Sequence, residues 1–399
     1  MANNKKNLTI IYAAVQFSYW FLFGAVNNFA SVYLLSSGFK NTAIGLVAAL
    51  GCSFAVLLQP LIASYADRDD SPSLKTIIIF IDGLILFIGA GLFLAFGGSM
   101  LINGLLFLLA ILLTQVMTPL INALGTESIG QGNTLNFSFA RAFGSIGYAV
   151  MSYTLGYMVE LYGAVSDPVC ISAIAAVLFI LAFFYPFRKI RKGAEHSAAQ
   201  AGEGADIPES LKKVEEDKGF FRKYRSFVFS LFGCVLIYIS HIYLNNFTYQ
   251  IVVSKGGNSE EMGTAMAIAS ASELIVMFIF PLMLRKKGPA FWFRLSGVFF
   301  TLKALGTFLA PNMGAFFAVQ AFQPMGWGLL TVASVFYVDS IMDERDKIKG
   351  QAYMTMSYSI GNVLGSLSGG VLLDMWGTQG MLIAAIISGL IGTVVVMAR

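Results

Sequence analysis

Residues 139–163 read FARAFGSIGYAVMSYTLGYMVELYG, a stretch apolar enough to cross a bilayer, yet Arg141 stands about a turn inside its start. A charge at that depth costs a few kcal/mol unless it faces a cavity or a partner. Tyr148 follows seven residues later, nearly two helical turns on. The two side chains therefore share one face, about 10 Å apart along the axis. A fixed cation beside an aromatic plate is chemistry for gripping a polar, ring-shaped solute. The structural alternative pairs Arg141 with Glu127 across the turn between helices 4 and 5 and leaves Tyr148 as packing.

Other groups could move a proton or bind hydroxyls. Glu273 is the one carboxylate expected near the middle of a helix in the second half of the chain. A carboxylate buried there can carry a proton at physiological pH, and Lys303 and His241 are placed to tune it or pair with it. Asn27-Asn28 and Asn245-Asn246 offer amides that both donate and accept, which suits a hydroxyl-rich ligand or, equally, bonds between helices. Asn122, Gln323 and Trp327 add polar and aromatic surface. Asp82 falls on helix 3, about two turns from one end. Asp67-Arg68 sits in the loop after helix 2 and reads either as a solvated turn or as a charged latch between helix ends. Catalytic patterns are missing: there is no His-Glu-x-x-His and no phosphate loop, so neither an enzyme nor a cofactor or metal is expected.

The elements that must position these groups are membrane helices. Of 399 residues 57% are hydrophobic and only 12% charged, with mean hydropathy +0.72. A soluble domain would carry about 25% charged residues. At about 20 residues per crossing, twelve apolar segments fit, the first at 8–35 and the last at 378–398. The first segment is too long for a cleavable signal and lacks a small-residue cleavage site. Among the 26 Lys and Arg, only Lys40 and Lys255 fall in loops on one side, and Arg141 and Lys303 fall inside helices. The remainder crowd the termini and the even-numbered loops, which places both termini in the cytoplasm. A net charge of +4 distributed this way is no nucleic-acid signal. Cys52, Cys170 and Cys234 have no paired spacing and read as small core residues.

The chain is internally duplicated. Asn27-Asn28-Phe29, Gly38, Gly45, Ala49 and Ser53 return 218 residues later as Asn245-Asn246-Phe247, Gly256, Gly263, Ala267 and Ala271. Ser145-Ile146-Gly147, Gly156, Glu160, Tyr162 and Gly163 return 214 residues later as Ser359-Ile360-Gly361, Gly370, Asp374, Trp376 and Gly377. Two parallel six-helix copies with a substrate site between them are a transporter architecture. The expected division is a bundle at 1–190, a polar linker at 191–221 and a second bundle at 222–399. Arg141 has Thr355 as its counterpart, so its charge belongs to a task rather than to the scaffold.

These residues resemble the major facilitator superfamily, and within it the lactose permease (oligosaccharide:proton symporter) branch with its nucleoside and phenylpropionate relatives. The matches are Phe23-Gly24-Ala25, Gln59-Pro60-Leu61 with Asp67-Arg68, Arg141-x-Phe143-Gly144-x2-Gly147-Tyr148, Lys303-x2-Gly306, and Gly370-x3-Asp374-x2-Gly377-x-Gln379-Gly380. The resemblance implies an all-α membrane protein of the major facilitator fold. It puts Arg141 in the place of a sugar-binding arginine and Tyr148 in that of a tryptophan that stacks on the sugar. Asn122 falls where the branch has a helix-4 carboxylate, and Lys303 where it has an arginine. The coupling residues are largely replaced: by His241 and Leu244 on helix 7, Ser270 on helix 8, Gln320, Gln323 and Gly326 on helix 10, and Tyr358 on helix 11. Glu273 stands one turn beyond the helix-8 position.

The expectation is a monomeric secondary transporter in the cytoplasmic (inner) membrane of a bacterium. It moves a sugar or glycoside, with a proton, by alternating access. An uncoupled facilitator, an exporter, or a nucleoside or aromatic-acid permease are the alternatives. The substrate site is expected at Asn28, Asn122, Arg141, Tyr148, Asn245, Gln323 and Trp327. Proton coupling is expected at Glu273, His241 and Lys303, and the gate at Asp67 and Arg68.

Overall fold

The computed structural model describes residues 7–66, 68, 70–187, 219–343 and 346–398. Most of the expected linker, His196 and Asp67 lie outside them. The described chain is helical. The first half holds α1 (Thr9–Asn28, continued by Ala30–Ser36), α2 (Asn41–Ala66), α3 (Leu74–Ala95), α4 (Met100–Gly130), α5 (Phe137–Tyr162) and α6 (Ser166–Phe184). The second half holds α7 (Arg225–Asn246, continued by Thr248–Ser254), α8 (Ser259–Lys286), α9 (Pro289–Leu309) and α10 (Met313–Ile341). The run Lys347–Met397 is broken at Gly377 into α11 and α12.

Nine helices among the described residues are long and apolar enough to span a membrane by composition, where the sequence suggested twelve. The difference has physical causes. The run through α11 and α12 counts once, while α5 falls short because it is rich in Gly, Ser and Tyr beside Arg141, and α9 because it carries Arg294 and Lys303. A polar face turned to a cavity lowers a helix's mean hydropathy without removing it from the membrane.

The duplication is visible in the backbone. α1 breaks at Phe29 and α7 at Phe247, each directly after its Asn-Asn pair. Asn27 Nδ2 bonds back to the Phe23 carbonyl at 2.8 Å, the local competition with the helix ladder expected of an amide there. Gly163 (φ 80°) ends α5 and its repeat partner Gly377 (φ 65°) breaks α11 from α12; only glycine adopts these turns without strain.

At the end away from the linker the halves meet through glycines. A Cβ on Gly45 of α2 would lie 2.1 Å from the Ser366 carbonyl of α11, and one on Gly263 of α8 would lie 2.1 Å from the Ser152 carbonyl of α5. These are repeat-equivalent contacts, and small residues alone allow such an approach. Asp374 adds a bond across the halves. Its carboxylate accepts from Asn41 N (3.2 Å), Asn41 Nδ2 (2.9 Å) and Thr42 N (2.7 Å), capping the first turn of α2. Among the described residues its repeat partner Glu160 has no such bond, because Asn258 and Glu261 cap α8 from within.

Overpacking such a contact costs about 1–3 kcal/mol. Gly45→Val should therefore loosen this end. A cysteine at Thr42 should react roughly tenfold faster with a hydrophilic maleimide than in the Gly45 protein. Unchanged reactivity would place the closure elsewhere.

At the linker end, Lys223 bonds Asp343 (2.5 Å) and Asp346 (2.8 Å), tying the approach to α7 to the α10–α11 loop. Those carboxylates push the Lys223 ammonium above its ordinary pKa. At the opposite end Lys255 donates to the Ala310 carbonyl at 2.6 Å, and loss of water lowers its pKa.

Candidate functional site

A cavity of about 480 Å3 lies between the halves. It runs toward the linker end, past Val335 of α10 and Gln351 and Thr355 of α11, and the glycine contacts shut the other end. Thr355, the repeat counterpart of Arg141, lines it as well.

One wall comes from α1 and α5. Arg141 and Tyr148 both face the cavity, as their spacing required. The guanidinium lies over the Trp20 ring, 4.3 Å from its centroid. Gly144 makes room, since a Cβ there would meet Trp20 Cδ1 at 2.4 Å. Trp20 is fixed in turn: its Nε1 donates to Gln16 Oε1 (3.1 Å), while Gln16 Nε2 donates to Tyr12 OH (2.7 Å) and Asn122 Oδ1 (3.4 Å). Among the described residues Arg141 makes no hydrogen bond and no ion pair, so the alternative Arg141–Glu127 pair does not form.

Asn122 is therefore turned to Gln16 and lies outside the cavity lining. Asn28 is also off the wall, buried behind Tyr148 and donating to its hydroxyl at 2.5 Å. Of the second amide pair, Asn245 faces the cavity, and Asn246 turns to Ser366 Oγ of α11 at 2.9 Å.

The opposite wall is a hydrogen-bonded chain of charge. Lys303 Nζ donates to Gln323 Oε1 at 2.5 Å, and Gln323 Nε2 donates to Glu273 Oε1 at 2.7 Å. All three residues are buried. Acid and base thus communicate through an amide rather than by direct contact, which is how the expected Glu273–Lys303 pairing turns out. The backbone of α10 makes this possible. Gln320–Phe322 is a tight turn and Pro324–Gly328 a wide π turn, with Pro324 contributing no N–H to the ladder. Such turns often mark functional sites. Here Gln323 sits at the junction, and Trp327 comes to stack on His241 (4.6 Å between centroids, 11° between planes).

Tyr238 and Tyr358 complete an aromatic corner, Tyr358 lying 5.5 Å from Trp327 and 5.2 Å from Tyr238. His241 and Thr307 line the cavity, and His241 Nδ1 and the Thr307 hydroxyl are buried without partners among the described residues. Buried polar atoms are ordinarily satisfied, so these are positions for a ligand or water to complete.

Trp20, Tyr238 and Tyr358 join the site without having been singled out as binding residues. The signal for Trp20 was its spacing of four from Gln16, which its indole N–H bonds. Arg68 lies in the exposed loop after α2, away from the cavity, and its carbonyl accepts from Ser71. Asp82 is fully buried in α3, outside the cavity, and its carboxylate oxygens lack partners among the described residues.

The model of the MFS_1 like family matches residues 9–384. Maltose permease of Geobacillus stearothermophilus is 22% identical over 97% of this chain and 93% of its own length. Multidrug resistance protein Stp of Mycobacterium tuberculosis (strain CDC 1551 / Oshkosh) is 28% identical over 30% of this chain, a stretch that spans only 21% of Stp. Among solved structures, a mutant of the nucleoside transporter NupG superposes with TM-score 0.81, at 16% identity and 98% coverage of both chains. An auto inhibited POT family peptide transporter superposes with TM-score 0.70, at 11% identity, covering 97% of this chain and 94% of that one. The likeness to these structures is one of fold.

Proposed function

Since this chain belongs to the MFS_1 like family and is a multi-pass membrane transporter rather than an enzyme, we propose that it moves a small polar organic solute of the sugar or nucleoside kind, together with a proton, by alternating access. The observation that carries the reading is the closed-ended cavity. It sets a cation on an indole against a buried Glu273–Gln323–Lys303 chain. Its volume suits a mono- or disaccharide, a glycoside or a nucleoside. A sugar is the first choice, because the permease related over nearly the full length is named for maltose. The fold likeness to a nucleoside transporter keeps the nucleoside in the panel.

In this reading the units 1–190 and 222–399 rock about the linker 191–221. The linker end then lies in the cytoplasm of a bacterial cell, an orientation that the excess of Lys and Arg at that end supports. The cavity then faces inward, and the glycine contacts form the outer closure. Arg141 and Tyr148 grip the solute, and Asn245 and Trp327 flank it. Asn28 and Asn122 act behind them, through Tyr148 and Gln16. Glu273 takes the proton, with Lys303 and His241 beside it. Gln323 holds the carboxylate in one orientation and passes the influence of Lys303 to it.

Counterflow in proteoliposomes against sugars, nucleosides and aromatic acids tests the proposal. Exchange of at least one class is expected, and exchange of none would refute it. Tyr148 provides a finer test. Tyr148→Phe keeps the ring and loses the hydroxyl's interactions with Asn28 and Asn245, about 1 kcal/mol or fivefold in affinity. Tyr148→Leu loses the stacking plate and should bind far worse. Equal binding by both variants would reduce Tyr148 to packing.

A further inference from the structure

Resting on the transport reading above, we infer that the solute is an anion: a ring compound carrying one carboxylate, which docks on Arg141. The cavity's own charges lead there. Among the described residues its lining contains two cations, Arg141 and Lys303, and a single acid, Glu273. Of the lining elements, α8 presents Glu273 toward Arg141, while α1 (Trp20, Phe23), α4 (Gln115, Thr118) and α11 (Thr355, Tyr358) present no acid. Glu273 hydrogen-bonds Gln323, which Lys303 holds in turn, and it also acts on Arg141 across the cavity, so one negative charge stands against two positive ones. One positive charge of the lining is left over, and it is the one with no hydrogen bond.

The protein cannot supply the missing anion from behind Arg141. Asn122 stands there instead of an acid, and its Oδ1 accepts from Gln16. Gln16 is also bound to Trp20 and Tyr12, so the network closes on itself as a neutral set. The half-buried Arg141 guanidinium faces the cavity without a hydrogen bond, and a hydroxyl would satisfy its N–H groups without neutralising its charge. A carboxylate does both. Trp20 covers one face of the guanidinium and leaves its N–H edge for the two parallel bonds that a carboxylate accepts. Protonating Glu273 neutralises the lining's acid and raises the positive excess. Proton and anion therefore favour one another's binding, as two ligands linked through one site must.

The test is counterflow of matched pairs that differ only in –COO⁻ against –CH2OH: methyl glucuronide with methyl glucoside, and phenylpropionate with phenylpropanol. The acid of at least one pair should be exchanged with a KM roughly tenfold or more below that of its alcohol, about the worth of one charge-assisted bond. The first pair would identify an acidic sugar and the second an aromatic acid. The preference should vanish in Arg141→Gln. In Asn122→Glu, which puts an acid where Gln16 and Trp20 lead to Arg141, it should shift toward the alcohol. Alcohols exchanged as well as their acids by the unmodified protein would overturn the inference and leave the transport reading standing. Exchange of no member of either pair, nor of the wider panel, would overturn both. A preference that persists unchanged in both variants would show that the anion docks elsewhere, and would also overturn it.

Discussion

Replacing Arg141 by lysine is expected to weaken solute binding nearly as much as replacing it by alanine, by about 100-fold in each case. Truncating one partner of a buried, hydrogen-bonded charge pair costs about 2–5 kcal/mol, and lysine restores the charge without the planar fork. The geometry makes the site particular to arginine. A flat guanidinium lies over Trp20, 4.3 Å from the ring centroid, with Gly144 giving it room. An ammonium could approach the indole but would offer one donor direction at a time. Equilibrium binding to purified variants is the measurement. Near-wild-type affinity for Arg141→Lys would mean that only charge matters, and the two-point contact would have to be abandoned.

The second large effect is at Glu273. Glu273→Gln imitates the protonated side chain and can still hydrogen-bond Gln323. It should keep solute exchange within a few-fold of wild type while losing uphill accumulation driven by a pH gradient. The reason is that the halves can rock only when the buried acid is neutral or paired, and a permanently neutral residue has nothing to carry. Lys303→Met should do the opposite kind of damage, since it leaves the Gln323 amide oxygen without its donor. Exchange itself should slow. Uphill transport surviving in Glu273→Gln would remove that residue as the coupling site. If the unmodified protein fails to accumulate solute against a gradient, it is a facilitator, and the absence of an acid at Gln323 and Gly326 supplies the reason.

Much of this architecture was legible in the sequence because the repeat is written in residues that the backbone requires. Gly45 and Gly263 recur because carbonyls sit where their side chains would be, and Gly163 and Gly377 because both turns need positive φ. The Asn-Asn-Phe pairs recur at two equivalent helix breaks. Arg141 and Tyr148 could be placed on one face because an undistorted helix has a known period.

What the sequence could not give is the direction each face takes relative to its neighbours. Asn28 and Asn122 carry the right chemistry but point behind the wall, toward Tyr148 and Gln16. The Glu273–Gln323–Lys303 chain was hidden for another reason. The tight and wide turns of α10 rotate Gln323 and Trp327 away from the register that a regular helix predicts. Trp20 stands four residues from Gln16, a spacing whose meaning shows only once its indole is seen bonded to Gln16 and covered by the guanidinium.

Alternating access between the two halves is tested most directly by one distance. Spin labels at Ser138, at the start of α5, and Ser340, near the end of α10, stand on opposite halves at the linker end, and neither position is buried. Cys52, Cys170 and Cys234 would first be replaced. In the solute-free protein at high pH the distance distribution should be long, as in the structure with its cavity reaching that end. Solute added at low pH should shift it to a shorter population as the linker end closes. An unchanged distribution under conditions where binding is measured in the same sample would contradict it.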